Sequence, residues 1–286
     1  MSFIDQVRPR VLYEHKSSLR PRAGAVSNTA ALQALVRSLS LQIRSGNELW
    51  AYQQVNAAID QFMTPFKPRS VLGSPFIRSD MLSRTRYDRF FPELLVEAGP
   101  RNEPGKYYGS PAACHSVYQV LFGSEISEPV LFDVTGICSR NEREVSAESG
   151  RLRHFSMREL VVLGPEQYCE SMKKQVYDAQ LQFCKEVLDI DFKVVVASDP
   201  FCGADATLQK AAQIMEERKL EFVIDLPGVG ELAFSSLNTH GSLFTDGFEM
   251  HSSRHKLVSF CLAWGIDRIA LILASQGRLR EPAQHD

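Results

Sequence analysis

Ser139-Arg140-Asn141-Glu142, followed after a polar loop by Arg153-His154-Phe155-Ser156-Met157-Arg158-Glu159-Leu160, is the stretch on which the reading of this 286-residue chain turns. Upstream of it, Pro129–Ile137 carries Val130, Phe132, Val134 and Ile137, the β-branched and aromatic residues that suit a strand. Two strands joined by a polar loop therefore present an arginine and a carboxylate at the end of one and an aromatic ring and a carboxylate on the other. Neither G-x-x-x-x-G-K-[ST] nor G-x-G-x-x-G occurs, so a nucleotide would have to be held by side chains of this kind instead of a glycine-rich loop.

Working outward, Leu49, Tyr52, Val55, Ala58, Ile59 and Phe62 recur at three and four residues, which predicts a helix over 48–62 that Pro65 and Pro68 end. Ser70–Ile77, broken by Gly73 and Pro75, reads as a short edge strand. Beyond Gly164-Pro165, the spacing of Tyr168, Met172, Val176, Ala179 and Phe183 predicts a long helix to about Leu188. Strands are expected at 192–197, 221–226 and 231–237, a helix at 205–217, and a buried helix over 264–274. Strands with irregular spacers, not regular βαβ units, indicate an α+β domain with a mainly antiparallel sheet flanked by helices.

Composition sets the bounds. A 44% hydrophobic content supports a globular core, and no apolar run reaches the roughly 18 residues of a membrane span. The start MSFIDQVRPR has no secretory pattern, which places the protein in the cytoplasm. A net charge of -2 gives no basic field for nucleic acid. Residues 1–45, with Arg8, Arg10, Lys16, Arg20, Arg22, Arg37 and Arg44, read as a basic arm, either solvated or docking an acidic partner. Residues 46–275 read as the main folded domain and 276–286 as a polar tail.

The quoted strand pair resembles the second signature motif of class II aminoacyl-tRNA synthetases. The resemblance implies that Arg140 holds the α-phosphate and the substrate carboxylate, that Glu142 accepts from the adenine amino group, and that Phe155 stacks on adenine. Cys261-Leu262-Ala263-Trp264-Gly265-Ile266-Asp267-Arg268 resembles the third motif, with Arg268 on the other adenine face. By itself an arginine in an apolar helix reads as a paired structural residue. The helix at 48–62 with Val71–Pro75 is similar to the first motif, which implies a homodimer.

Within the class, the sequence resembles the atypical zinc-dependent seryl-tRNA synthetases and their truncated relatives, the amino acid:[carrier protein] ligases. Ser110-Pro111-Ala112-Ala113-Cys114, Arg158-Glu159 and Ser259-Phe260-Cys261 carry this resemblance. It implies zinc on Cys114, Glu159 and Cys261, with a fourth position open to the substrate amine. Read without it, buried cysteines are core residues, as Cys138, Cys169, Cys184 and Cys202 are read here. Ala197–Phe201 and Ser235–His240 also look like family segments, which places Ser235 and Asn238 at the ATP site. Glu231 is the magnesium candidate. It lies one residue further from Asn238 than the pattern expects, so either a bulge intervenes or the role falls elsewhere, and Glu231 reads equally as a solvated strand end.

The implied reaction is ATP-dependent activation of a small amino acid, glycine or alanine, as the aminoacyl adenylate. Transfer to the phosphopantetheine thiol of an acyl carrier protein follows. A tRNA acceptor is disfavoured because about 45 residues cannot form a tRNA-binding domain. The alternatives are a synthetase-like enzyme with another acceptor and a non-catalytic paralogue that acts as a binding module.

Overall fold

In the computed structural model, which describes residues 7–18, 44, 46–142, 151–203, 205–226 and 230–278, eight strands, the central ones buried along most of their length, pack into one large sheet. Its order is β1-β8-β9-β10-β11-β7-β6-β2. The strands are β1 (Val11–His15), β2 (Arg69–Leu72), β6 (Val130–Ser139), β7 (His154–Pro165), β8 (Phe192–Val196), β9 (Lys219–Leu226), β10 (Gly230–Gly241) and β11 (Leu257–Gly265). Every pairing is antiparallel except that of β2 with β6. The expected α+β architecture is thereby found.

One face of the sheet is covered by α1 (Gly46–Met63), α5 (Glu166–Gln182) and α8 (Ile266–Ser275). Leu160, Val162, Phe192, Val194, Phe222, Phe234, Leu262 and Trp264 point into that layer, where Phe62 meets the Trp264 ring edge-on at 4.9 Å. The other face carries Phe132, Val134, Val161, Leu163 and Cys261 beneath α4 (His115–Val120) and a small sheet of β3 (Phe76–Arg78), β4 (Glu97–Ala98) and β5 (Tyr107–Gly109). The strand expected over 70–77 is in fact two. Ser74 and Pro75 break it, so β2 joins the main sheet and β3 the small one. Short helices α2 (Ser79–Arg84), α3 (Tyr87–Phe90), α6 (Ala206–Met215) and α7 (Leu243–Gly247) complete the described elements. After α5 the chain continues through a π turn at Phe183–Val187, as the long helix to Leu188 requires.

Part of the stretch read as a basic arm belongs to the sheet. Val11–His15 pairs with β8, and Tyr13 packs against Phe192 at 5.7 Å. Arg44 reaches Asp267 at 2.5 Å and Ser156 at 2.9 Å, with its guanidinium over Tyr52. Arg20, Arg22 and Arg37 lie outside the described residues. Among the described residues no helix is long and apolar enough to cross a membrane.

One buried charge network joins the helix layer to the sheet. Arg158 on β7 donates to both oxygens of Asp133 on β6, at 2.8 and 2.6 Å, and to Asp60 of α1 at 2.5 Å. Removing one partner of such a pair strands a buried charge, whereas an exposed partner matters little. Arg158→Met should therefore cost about 3–5 kcal/mol in urea unfolding. Asp60→Asn, whose side chain is 66% exposed, should cost less than about 1 kcal/mol. Equal losses from both would refute the assignment.

Candidate active site

The pleat sends alternate residues to opposite faces, so Arg158 and Glu159, adjacent in sequence, serve different layers. Phe155, Met157, Glu159 and Val161 face away from the three covering helices. Cross-strand pairing sets their neighbours. Glu159 lies beside Ala263, Val161 beside Cys261, and Cys261 beside Asn238 on β10. Cys114, just before α4, closes over this face.

The resulting cluster is tight. The ligand atoms of Cys114, His240 and Cys261 all lie within 4.8 Å of one another. Glu159 stands close enough for its charge to act on both thiols, and it accepts the Ala113 N–H at 2.8 Å. The hydrogen bond with Cys261, burial and the Glu159 charge push the Cys114 thiol well above its ordinary range. Cys261 is pulled down by the hydrogen bond with Cys114, but burial and Glu159 leave it raised. Two thiols and an imidazole thus converge, with the Glu159 carboxylate beside them but outside that 4.8 Å group, and two sulfurs with a nitrogen or an oxygen suit zinc. The residues present fit the ion.

His240 is the residue that the sequence reading passed over. It was quoted within a family segment without a role, and the strand was expected to end at Leu237. β10 runs on to Gly241, and its register with β11 shifts between Thr239 and Gly241, so His240 falls outside the regular ladder and its ring reaches the thiols. Its Nε2 is 3.5 Å from Cys261 Sγ, and burial lowers its pKa to about 3. His115, one residue beyond Cys114, is also buried, and burial lowers it to about 3. Its Nδ1 has no hydrogen-bond partner among the described residues, and its ring lies between Tyr87 and Phe244.

The second half of the site is cationic. Arg140 donates to the Pro111 carbonyl at 2.9 Å, and its guanidinium lies 5.3 Å from the centre of the Phe155 ring. Burial disfavours its charge, yet Tyr87, Cys138, Glu142 and Asp199 together hold it firmly protonated. Arg268 on α8 donates to the Ala233 carbonyl at 2.6 Å. Burial and then the Arg140 charge lower its pKa to about 10. Two arginines that repel each other across one pocket make a seat for an anion. The halves adjoin, because Pro111 accepts from Arg140 at 2.9 Å and Ala113, two residues on, donates to Glu159 at 2.8 Å. They are held together by the 109–114 loop: Ser139 N–H donates to Ser110 O at 2.8 Å, and a Cβ on Gly109 would stand 2.5 Å from that of Ser139. Only glycine permits this approach.

Other expected residues fall differently. Glu142 pairs with Arg151 at 3.0 Å, at the root of the strand-joining loop, whose residues 143–150 lie outside the described set. Ser235 is not at the pocket. It donates to the Ala263 carbonyl at 2.7 Å and accepts from Gln180 of α5 at 3.3 Å, on the helix side. The reason is a bulge in β10 between Ala233 and Ser235, which turns both Phe234 and Ser235 inward and brings Ser236 to the pocket face beside Asn238. The bulge that the Glu231–Asn238 offset left open therefore exists. Glu231 itself stands at the outer end of β10, 68% exposed and 3.7 Å from Lys193. Glu221 on β9, opposite Ser236, is the strand carboxylate whose field reaches Arg268. Cys169 and Cys184 pack in the helix layer, as expected.

Comparison with known proteins now bears on this geometry. No family model matches the sequence. The chain is 31% identical over 169 residues to amino acid–[acyl-carrier-protein] ligase 1 of Bradyrhizobium diazoefficiens, covering 57% of this chain and 51% of that protein. It is 28% identical over 188 residues to the type-2 serine–tRNA ligase of Methanopyrus kandleri, covering 61% of this chain and 35% of that one. The M. kandleri seryl-tRNA synthetase, solved with a tRNA from A. aeolicus, superposes with a TM-score of 0.77 at 18% identity, over 98% of this chain and 64% of that one. The chain is a homologue of these ligases with the class II synthetase fold. It spans about half the length of the first of these curated relatives and about a third of the second. The cytoplasmic serine–tRNA ligase of Naegleria fowleri, solved with AMP, shares the fold with a TM-score of 0.69 and 12% identity, covering 95% of this chain and 68% of that one.

Metal analysis checks the cluster. Protein refolded or expressed with zinc should hold about one equivalent, Cys114→Ser should hold none, and Cys184→Ser, equally buried in the helix layer, should keep it. Because both thiols must lose protons to bind, zinc affinity should fall as the pH drops from about 8 to about 6. Retention of zinc by Cys114→Ser would remove that residue from the site.

Proposed function

We propose that this class II synthetase homologue activates a small amino acid with ATP and passes it to the phosphopantetheine thiol of an acyl carrier protein. The observation that carries the reading is the juxtaposition of a thiol–carboxylate cluster, apt for a metal and hence for an amine, with a pair of mutually repelling arginines apt for carboxylate and phosphate. An α-amino acid carries an amine and a carboxylate on one carbon, and the two halves of the pocket match its two ends.

In this reading Arg140 holds the substrate carboxylate against the α-phosphate of ATP. The carboxylate oxygen attacks phosphorus, the bond to the β-phosphate oxygen breaks, and pyrophosphate leaves. Arg140 and Arg268 offset the charge that builds on the α-phosphoryl oxygens, through donors fixed before the reaction. Phe155 offers its face to adenine once Arg140 turns to the phosphate, and Glu142 accepts from the adenine amino group after leaving Arg151. Ser236 takes the role first given to Ser235, with Asn238 beside it. Glu221 joins Glu231 as a candidate carboxylate for magnesium. Cys114, Glu159 and Cys261 would hold zinc, which supplies a Lewis-acid contact for the substrate amine. The attacking thiol then takes the acyl group and AMP departs.

Glycine and alanine are favoured as substrates, and a pocket of this kind separates such small side chains by only about 1–3 kcal/mol per methylene. The carrier protein is favoured over tRNA because similarity to the carrier-protein ligase is accompanied by a net charge of -2 without a global basic field. The tRNA reading draws on the type-2 serine–tRNA ligases among the relatives. A homodimer would use the open edge of β2, where Leu72 is 87% exposed.

ATP–pyrophosphate exchange with the common amino acids tests the first step. Exchange is expected with glycine or alanine, and Arg268→Met should lower it about 10²–10³-fold with an unchanged circular dichroism spectrum. No exchange by zinc-replete protein with any amino acid would leave a non-catalytic binding module as the reading. In the second step, radiolabelled amino acid should appear on a phosphopantetheinylated carrier and not on total tRNA. The reverse result would replace the carrier with tRNA.

A further inference from the structure

Cys114, Glu159 and Cys261 would supply three donors to a zinc ion that takes four, and the structure brings a nitrogen, that of His240, into one group with the two sulfurs. His240 Nε2 is 3.5 Å from Cys261 Sγ and within 4.8 Å of the Cys114 sulfur, separations that donors around one small ion require. The ring is oriented for such use from behind. His240 Nδ1 lies 2.9 Å from the hydroxyl of the fully buried Tyr118 and 3.2 Å from Ser259 Oγ, two oxygens able to accept from the Nδ1–H tautomer. That tautomer leaves the Nε2 lone pair on the side of Cys261. A hydrogen-bonded Nδ1–H behind a free Nε2 is the usual support of a metal-bound imidazole. Phe244 packs on the ring at 4.6 Å and keeps its plane.

The backbone gives the reason why histidine reaches here. β10 pairs with β11 regularly from Ser235 to Thr239, and then Gly241, at φ +58°, pairs with Ser259. Residue 240 is the extra residue of a bulge, left out of the ladder and aimed across it. Its side chain can consequently withdraw without breaking a ladder hydrogen bond.

We propose that His240 is a fourth protein donor to the zinc site, closing it in the absence of substrate, and that the amine of the amino acid displaces it. This rests on the zinc assignment made above. The exchange replaces one neutral nitrogen by another. The amine enters deprotonated, its proton having passed to solvent, so the charge of the site is unchanged. Binding energy from the amino acid must then cover the loss of the imidazole, and an amine that gains nothing from the arginines would not open the site. His240 would thus bias the pocket against simple amines.

X-ray absorption at the zinc edge of the wild-type protein, without and with glycine, alanine or serine plus ATP, tests this directly. The resting protein should show two sulfurs and the outer-shell scattering of one imidazole. That scattering should vanish, with the sulfurs retained, in the presence of the amino acid that supports pyrophosphate exchange. In competition with a chromogenic chelator, His240→Gln should bind zinc about 10–100-fold more weakly, and its KM for the amino acid should fall. Zinc bound with no imidazole in the resting state, or with imidazole retained beside a bound amino acid, would overturn the inference and leave the zinc assignment standing. Absence of zinc from metal-replete wild-type protein would overturn both.

Discussion

The site depends on the two-residue period of a sheet that is covered on both faces. Along β7, Arg158 turns to α1 and binds Asp133 and Asp60, while Glu159 turns to the opposite face and meets Cys114 and Cys261. A slip of one residue in the pairing of β7 with β11 would exchange these roles, burying the carboxylate among Phe62, Val176 and Trp264 and setting a guanidinium against two thiols. Both outcomes cost several kcal/mol of unpaired buried charge. The charge pattern therefore fixes register as firmly as the apolar residues do, and it does so at the centre of the pocket.

Where that period holds, the sequence was easy to read. The strand pair carrying Arg140 and Phe155, the helix α1, the long α5 and the final α8 all stand close to where spacing and breakers put them. The paired residues Cys114, Glu159 and Cys261 could not be joined by spacing, since 45 and 102 positions separate them along the chain and only the family resemblance brought them together. Where the period fails, the reading failed with it. The bulge at Phe234 moved Ser235 to the helix layer and left Ser236 in its place. A second irregularity, at residue 240, hid a histidine that a longer strand would have revealed. A bulge is decided by the tertiary fit of neighbouring strands, and little in the local residues announces it. β1 was missed for another reason. Its five residues sit among charges at the sheet edge, and their alternation, with Val11, Leu12 and Tyr13 in succession, is weak.

The pocket is divided electrostatically. On one side, burial and neighbouring groups raise the Cys114 thiol; on the other, Arg140 stays firmly charged and burial and the Arg140 charge lower Arg268. Each side suits a ligand of opposite sign. The opposite face of the sheet differs, for there Leu160, Phe222, Phe234 and Trp264 are fully buried in apolar company. The molecule thus separates its rigid side from its reactive side by the thickness of one sheet.

The strand at Val11–His15 has a bearing beyond the pocket. β8 ends the series of long strands, and without β1 its outer row of amide and carbonyl groups would lie open to any extended segment in solution. β1 covers that row with an irregular, charged edge, bearing Glu14 and the neighbouring Lys16, at which further strand addition is unfavourable. The short strand that precedes the core works as a molecular selvedge, keeping the sheet from knitting onto its neighbours in a crowded solution.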